Sequence, residues 1–72
     1  MSSEPALNPR NQFRGRIKHI HEGDVLSEID VETPHGIVTS VITTRSVREL
    51  ELAVGSPVLA FVKATEVALA RL

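Results

Sequence analysis

From residue 25 to 32 the chain reads VLSEIDVE, with Val25, Ser27, Ile29 and Val31 on one side and Leu26, Glu28, Asp30 and Glu32 on the other. A period of two is that of a strand with one dry face and one wet face. Most of the remaining sequence has the same character. Residues 13–21 (FRGRIKHIH) put Phe13, Gly15 and Ile17 on one face until Ile20 breaks the phase, as a bulge or strong twist near Gly15 would do. Gly23 and Asp24 are turn residues leading into the alternating strand. Thr33-Pro34-His35-Gly36 is a second turn, followed by the β-branched run IVTSVIT at 37–43. The apolar run VLAFV at 58–62 is expected to be buried on both sides, and VALARL at 67–72 alternates as a last strand.

One segment changes period. Val47 and Leu50 lie three apart, and Thr43 stands where its hydroxyl can cap a first turn containing Ser46. A short helix is therefore expected there, stopping before the breakers Val54-Gly55-Ser56-Pro57. The expected fold is mainly β: a small five-stranded barrel of the OB type with one short helix between strands three and four. Barrel closure would remove exposed strand edges. Residues 1–9, with Ser2, Ser3, Pro5, Asn8 and Pro9, read as an irregular arm, and 10–72 as a single domain.

Composition explains how such a domain must be stabilised. Phe13 and Phe61 are the only aromatics in a chain of 72 residues, so the core must come from Val, Ile, Leu and Ala. Domains below roughly 70–80 residues usually need a disulfide, a metal or a partner. With no cysteine in the chain, association with copies of itself is the expected remedy.

Several functions are disfavoured. Eight basic and nine acidic residues give a net charge of −1, which is no electrostatic footprint for nucleic acid or an anionic membrane. Phe13 and Phe61 read as core residues rather than base-stacking platforms. No apolar stretch approaches the roughly 20 residues that span a bilayer. The N-terminal segment lacks the basic and apolar blocks of a secretory signal, so a cytoplasmic setting is expected. No cysteine, Gly-x-Ser-x-Gly elbow or activated hydroxyl suggests a catalyst, and no enzyme is expected. His19 and His21 share a strand face and could chelate a cation only with a third ligand, such as His35 or one from another subunit; no metal cation site is expected.

Donor groups are more informative. Arg10, Asn11 and Gln12 offer donors without a carboxylate where the chain enters strand one. Thr43 and Ser46 flank a helix start, where unpaired N–H groups favour an anion. Lys63 ends an apolar strand and is followed by the small residues Ala64 and Thr65, whose N–H groups can be approached closely. Singly, these are an arm residue, an N-cap and a lysine reaching for water; together they describe an anion cradle.

The segments RNQFRG (10–15), VITTRSV (41–47) and VKATEV (62–67), in this order and spacing, strongly resemble the molbindins, the Mop-type molybdate-binding proteins made of a single TOBE domain. The resemblance covers nearly the whole chain from Asn8. It implies a homo-oligomer, a hexamer built as a trimer of dimers, that holds molybdate or tungstate at subunit interfaces for storage, with no organic cofactor. The interface site implied for this sequence comprises Arg10, Asn11, Thr43, Ser46, Lys63 and Ala64. A second site near a three-fold axis would use His21, Glu22 and Gly23. The alternative is a non-catalytic interaction or regulatory module pairing with a molybdate transporter or a molybdoenzyme. The sequence departs from the family at Asn8-Pro9-Arg10, where a serine usually stands two positions before the arginine; Pro9 removes a backbone donor there.

Overall fold

A computed structural model describes residues 11–72; the arm at 1–9 and Arg10 lie outside them. Four strands form: β1 (Gln12–Glu22), β2 (Leu26–Thr33), β3 (Gly36–Thr43) and β4 (Pro57–Phe61), with helix α1 (Thr44–Glu49) between β3 and β4. They make one antiparallel sheet in the order β3-β2-β1-β4. It curls into a half-barrel, so that Val38 and Ile42 of β3 and Val58 and Phe61 of β4 line one trough. The architecture is mainly β and OB-like, with the single short helix where its period placed it.

The phase break in β1 has a clear cause. Ile17 pairs with Val31 and His19 with Asp30, which leaves Lys18 as an extra residue. That bulge turns both Ile17 and Ile20 toward the core. It lies at Lys18 rather than near Gly15. Gly15 serves a different purpose: a Cβ there would collide with the Glu32 carbonyl oxygen and press on Val31 Cγ1. Only a glycine lets β1 and β2 approach this closely at the bend.

Ser27, Ile29, Val31 and Thr33 of β2 point inward and are buried, as the alternation requires. The core is small: Ile17, Ile29, Val31 and Val47 are buried, with Ile20, Val38, Ile42, Leu52 and Val58 packed around them. Val47 is the residue by which α1 grips the sheet. The helix ends in a Schellman turn, with Leu52 N–H donating to the Val47 carbonyl at 3.0 Å and Glu51 N–H to that of Arg48 at 3.1 Å. Glu51 takes the left-handed position usually given to glycine, at φ 55°.

Three expectations change. Val58, Leu59, Ala60 and Val62 are only half-buried, and Phe61 is 51% exposed. Strand β4 pairs with β1 alone, so its other edge and part of its surface stay open. Neither phenylalanine belongs to the buried core; Phe13 instead meets His35 edge-to-face at 6.2 Å. Residues 67–72 join no ladder in this chain: a 3₁₀ turn at Ala64–Glu66 separates them from β4. Leu69 and Leu72 stand fully exposed.

Candidate functional site

The open end of the β1–β4 ladder carries the lysine. Gln12 pairs with Phe61, and the Val62 N–H donates to the Asn11 carbonyl at 3.0 Å, which fixes Asn11 beside the residue preceding Lys63. The chain then turns sharply, the Glu66 N–H reaching back to the Lys63 carbonyl at 2.8 Å. The leading N–H groups of such a turn have no partner within it. Lys63 is exposed and forms no ion pair among the described residues. Asn11, Lys63 and Ala64 are thus gathered at one place, with a full positive charge and free backbone donors.

Thr43 and Ser46 lie elsewhere, where β3 passes into α1. Thr43 Oγ1 accepts from the Ser46 N–H at 3.0 Å and donates to Ser46 Oγ at 2.8 Å. Thr43 is therefore occupied as an N-cap. The Ser46 hydroxyl hydrogen remains to be given to something else.

His21, Glu22 and Gly23 come together at this same end, beside an open recess of about 570 Å³ shared with Leu26 and Val41. The Glu22 carboxylate is held by Arg48 through bonds of 3.1 and 2.9 Å. Gly23 is clamped at both backbone groups, its N–H on the Leu26 carbonyl at 3.0 Å and its carbonyl accepting from Thr44 Oγ1 at 2.6 Å. Since Thr44 spends its hydrogen there, the buried Ser27 hydroxyl must be the donor in the 2.7 Å contact between Ser27 Oγ and Thr44 Oγ1. Sequence reasoning missed this lock. Its signal was a lone serine among the inward residues of β2, facing a helix start rich in hydroxyls.

The two groups occupy opposite ends of the molecule. Eleven residues of β1 separate Asn11 from Gly23, on the order of 35 Å of strand. The residues expected to bind the anion therefore fall into two separate groups: Asn11, Lys63 and Ala64 at one end, Thr43 and Ser46 with His21, Glu22 and Gly23 at the other. Arg10 lies outside the described residues.

The family described as "TOBE domain" matches residues 7–69. The chain belongs to the TOBE family. Its relatives include molybdenum-pterin-binding protein 2 of Clostridium pasteurianum, 35% identical over 86% of this chain and 93% of the relative. A molybdate-binding protein from Sporomusa ovata has a solved structure that superposes with a TM-score of 0.81, at 34% identity, covering 86% of this chain and 92% of the other. With relatives of matching length, the chain is a Mop-type TOBE domain. The molybdenum transport protein ModE of Azotobacter vinelandii is 41% identical over 97% of this chain, but the chain spans only about a quarter of it, 27%. In this TOBE sheet Lys63 forms no ion pair among the described residues, while both backbone groups of Gly23 are hydrogen-bonded.

Proposed function

We propose that this chain binds molybdate, and tungstate with it, at interfaces between copies of itself, as an intracellular molybdenum store in the cytoplasm. The observation that carries the reading is the separation of the donors into two half-sites too far apart to meet within one chain. A second copy placing its Thr43–Ser46 end against the Asn11–Lys63–Ala64 end of the first would bring the Ser46 hydroxyl, oriented by Thr43, to the donors around one anion, with Arg10 completing the set. Molybdate at neutral pH is a tetrahedral dianion with no proton to give, so a donor-only set suits it. Phosphate, which carries a proton, would leave that proton without an acceptor. Self-association has support from the apolar surface: Val41, Phe61, Leu69 and Leu72 are exposed, and the trough between β3 and β4 has a volume of about 810 Å³. A hexamer, a trimer of dimers, is the assembly this reading expects.

Calorimetric titration of the purified assembly with molybdate, tungstate and sulfate tests it, together with sedimentation. Lys63→Ala should weaken molybdate by at least about tenfold, the scale of one charge-assisted contact, while leaving the apo fold unchanged because Lys63 is exposed. Absence of molybdate heat at micromolar protein would end the proposal.

A second reading rests on the match to ModE, in which the same domain forms part of a larger chain: a regulatory module pairing with a transporter or molybdoenzyme. A Lys63→Ala protein that lost the oxyanion yet still captured such a partner would favour it. Neither reading includes a catalytic step. The pterin in the relatives' names finds little here to stack on, since Phe13 is engaged by His35 and only Phe61 is open.

A further inference from the structure

Next to the Gly23 end, with which it shares His21, the outer face of the β1–β2 ladder gathers His19, His21 and Asp30. His19 and Asp30 are direct register partners, and the bulge at Lys18 sets that register. His19 Nδ1 lies 3.7 Å and His21 Nε2 3.8 Å from the same oxygen, Asp30 Oδ2. Both distances are too long for a hydrogen bond. Three ligand atoms, one from each residue, fall within 4.8 Å of one another. The other carboxylate oxygen, Oδ1, accepts from Thr39 Oγ1 at 2.9 Å, which fixes the carboxylate plane and turns Oδ2 toward the imidazoles. Among the described residues no hydrogen bond claims Oδ2.

From this arrangement we infer that His19, His21 and Asp30 form a binding site for a divalent transition-metal cation of zinc type. Zinc takes imidazole nitrogen at about 2.0–2.1 Å and carboxylate oxygen at about 2.0–2.2 Å in tetrahedral geometry, which sets donors about 3.4 Å apart. The two contacts to Asp30 need to close by only a few tenths of an ångström. The widest spacing, 4.8 Å, must close by about 1.4 Å, a movement within reach of the two exposed imidazoles. Two neutral imidazoles and one carboxylate suit zinc, copper or nickel better than magnesium or calcium, which prefer oxygen. Thr39 acts as the outer partner that orients the carboxylate, the arrangement metal sites commonly use. Water or Glu28, the register partner of His21, completes the coordination. His35, the third histidine considered from sequence, sits in the β2–β3 turn against Phe13 and takes no part.

The test is titration of the untagged, assembled protein with zinc chloride, followed by calorimetry, and with cobalt(II), followed by visible absorption. One ion per chain is expected, with a Kd well below about 1 mM, and tetrahedral cobalt bands. Asp30→Asn and His21→Gln should each weaken binding by at least about tenfold, with circular dichroism unchanged, whereas His35→Gln should leave it as it is. No saturable binding up to about 1 mM zinc, or equal binding in the Asp30→Asn and His21→Gln proteins, overturns the assignment. The site shares His21 with the Gly23 end but no residue with the lysine end, so Lys63→Ala should abolish neither the zinc heat nor the cobalt bands.

Discussion

Replacing Thr44 by valine would test whether the hydroxyl lock under the glycine turn holds this end of the fold. Thr44 is 3% exposed and Ser27 2%, so neither can turn to water. Valine keeps the shape but removes the donor to the Gly23 carbonyl and the acceptor for the Ser27 hydroxyl. The buried Ser27 hydroxyl costs about 1–3 kcal/mol when orphaned and the carbonyl of the exposed Gly23 about 1 kcal/mol, so the substitution should cost about 2–4 kcal/mol. A chain of this length has about 4–11 kcal/mol of stability in all. The melting temperature should therefore fall by about 8–32 °C. Ser27→Ala alone removes a donor and orphans nothing that lacks another partner, at a cost of about 1 kcal/mol. In the double variant the orphaned serine hydroxyl is gone, so adding Ser27→Ala to Thr44→Val should restore about 1 kcal/mol rather than remove more. Urea and thermal unfolding at one fixed protein concentration give the cycle. A Thr44→Val cost below about 0.5 kcal/mol, or strictly additive singles, would refute the account of the lock.

Three further substitutions probe other parts of the structure by the same unfolding assays. Gly15→Ala should cost about 1–3 kcal/mol, because the added methyl meets the backbone of Glu32 rather than a flexible side chain; a neutral result would mean the two strands can part at the bend. Glu51→Gly should raise stability by up to about 1 kcal/mol by relieving the left-handed position at the end of α1. Arg48→Ala should change stability by less than about 1 kcal/mol, since the Arg48–Glu22 pair is largely exposed, and a larger loss would show that the pair clamps the glycine turn.

What the sequence could disclose depended on how local the deciding interactions were. The alternation of β2 and the period change at Thr43 are short-range patterns, and both appear where they were expected. The phase break at Ile20 was visible too, but a missing phase says only that one residue is extra. Placing it at Lys18 needs the partner strand, because Val31 and Asp30 define which residue is left over. The role of Gly15 likewise depends on a carbonyl seventeen residues away. The apolar run at 58–62 looked fully buried because hydrophobicity reports what a segment can bury, whereas its actual cover depends on which edge of the sheet it occupies. For the site, motif order nominated the donors, yet only the fold separates them into two ends. Asp30 escaped notice beside His19 and His21 because the three meet across a bulged ladder.

Under the proposed function, that separation would make ligand and assembly interdependent in a measurable way. If the cradle were complete within one chain, molybdate at a hundredfold excess over its Kd would stabilise the fold by about 2.7 kcal/mol whatever the protein concentration. With Lys63 and Ala64 on one copy and Thr43 and Ser46 on another, the anion binds only associated chains, and the same free energy appears as tighter association. Dilution would then separate the two cases. The rise in melting temperature on adding molybdate should grow as the protein is diluted toward the point where the unliganded assembly comes apart, and sedimentation at that concentration should show molybdate restoring the larger species. Lys63→Ala should lose both effects, while an apo assembly held through the exposed apolar residues Phe61, Val41, Leu69 and Leu72 rather than through the lysine should keep the mass of the parent protein. A molybdate-induced rise in melting temperature that is the same at every protein concentration, across a range in which the unliganded assembly demonstrably dissociates, would place the whole site within one chain. The two half-sites at opposite ends of β1 would then need another explanation.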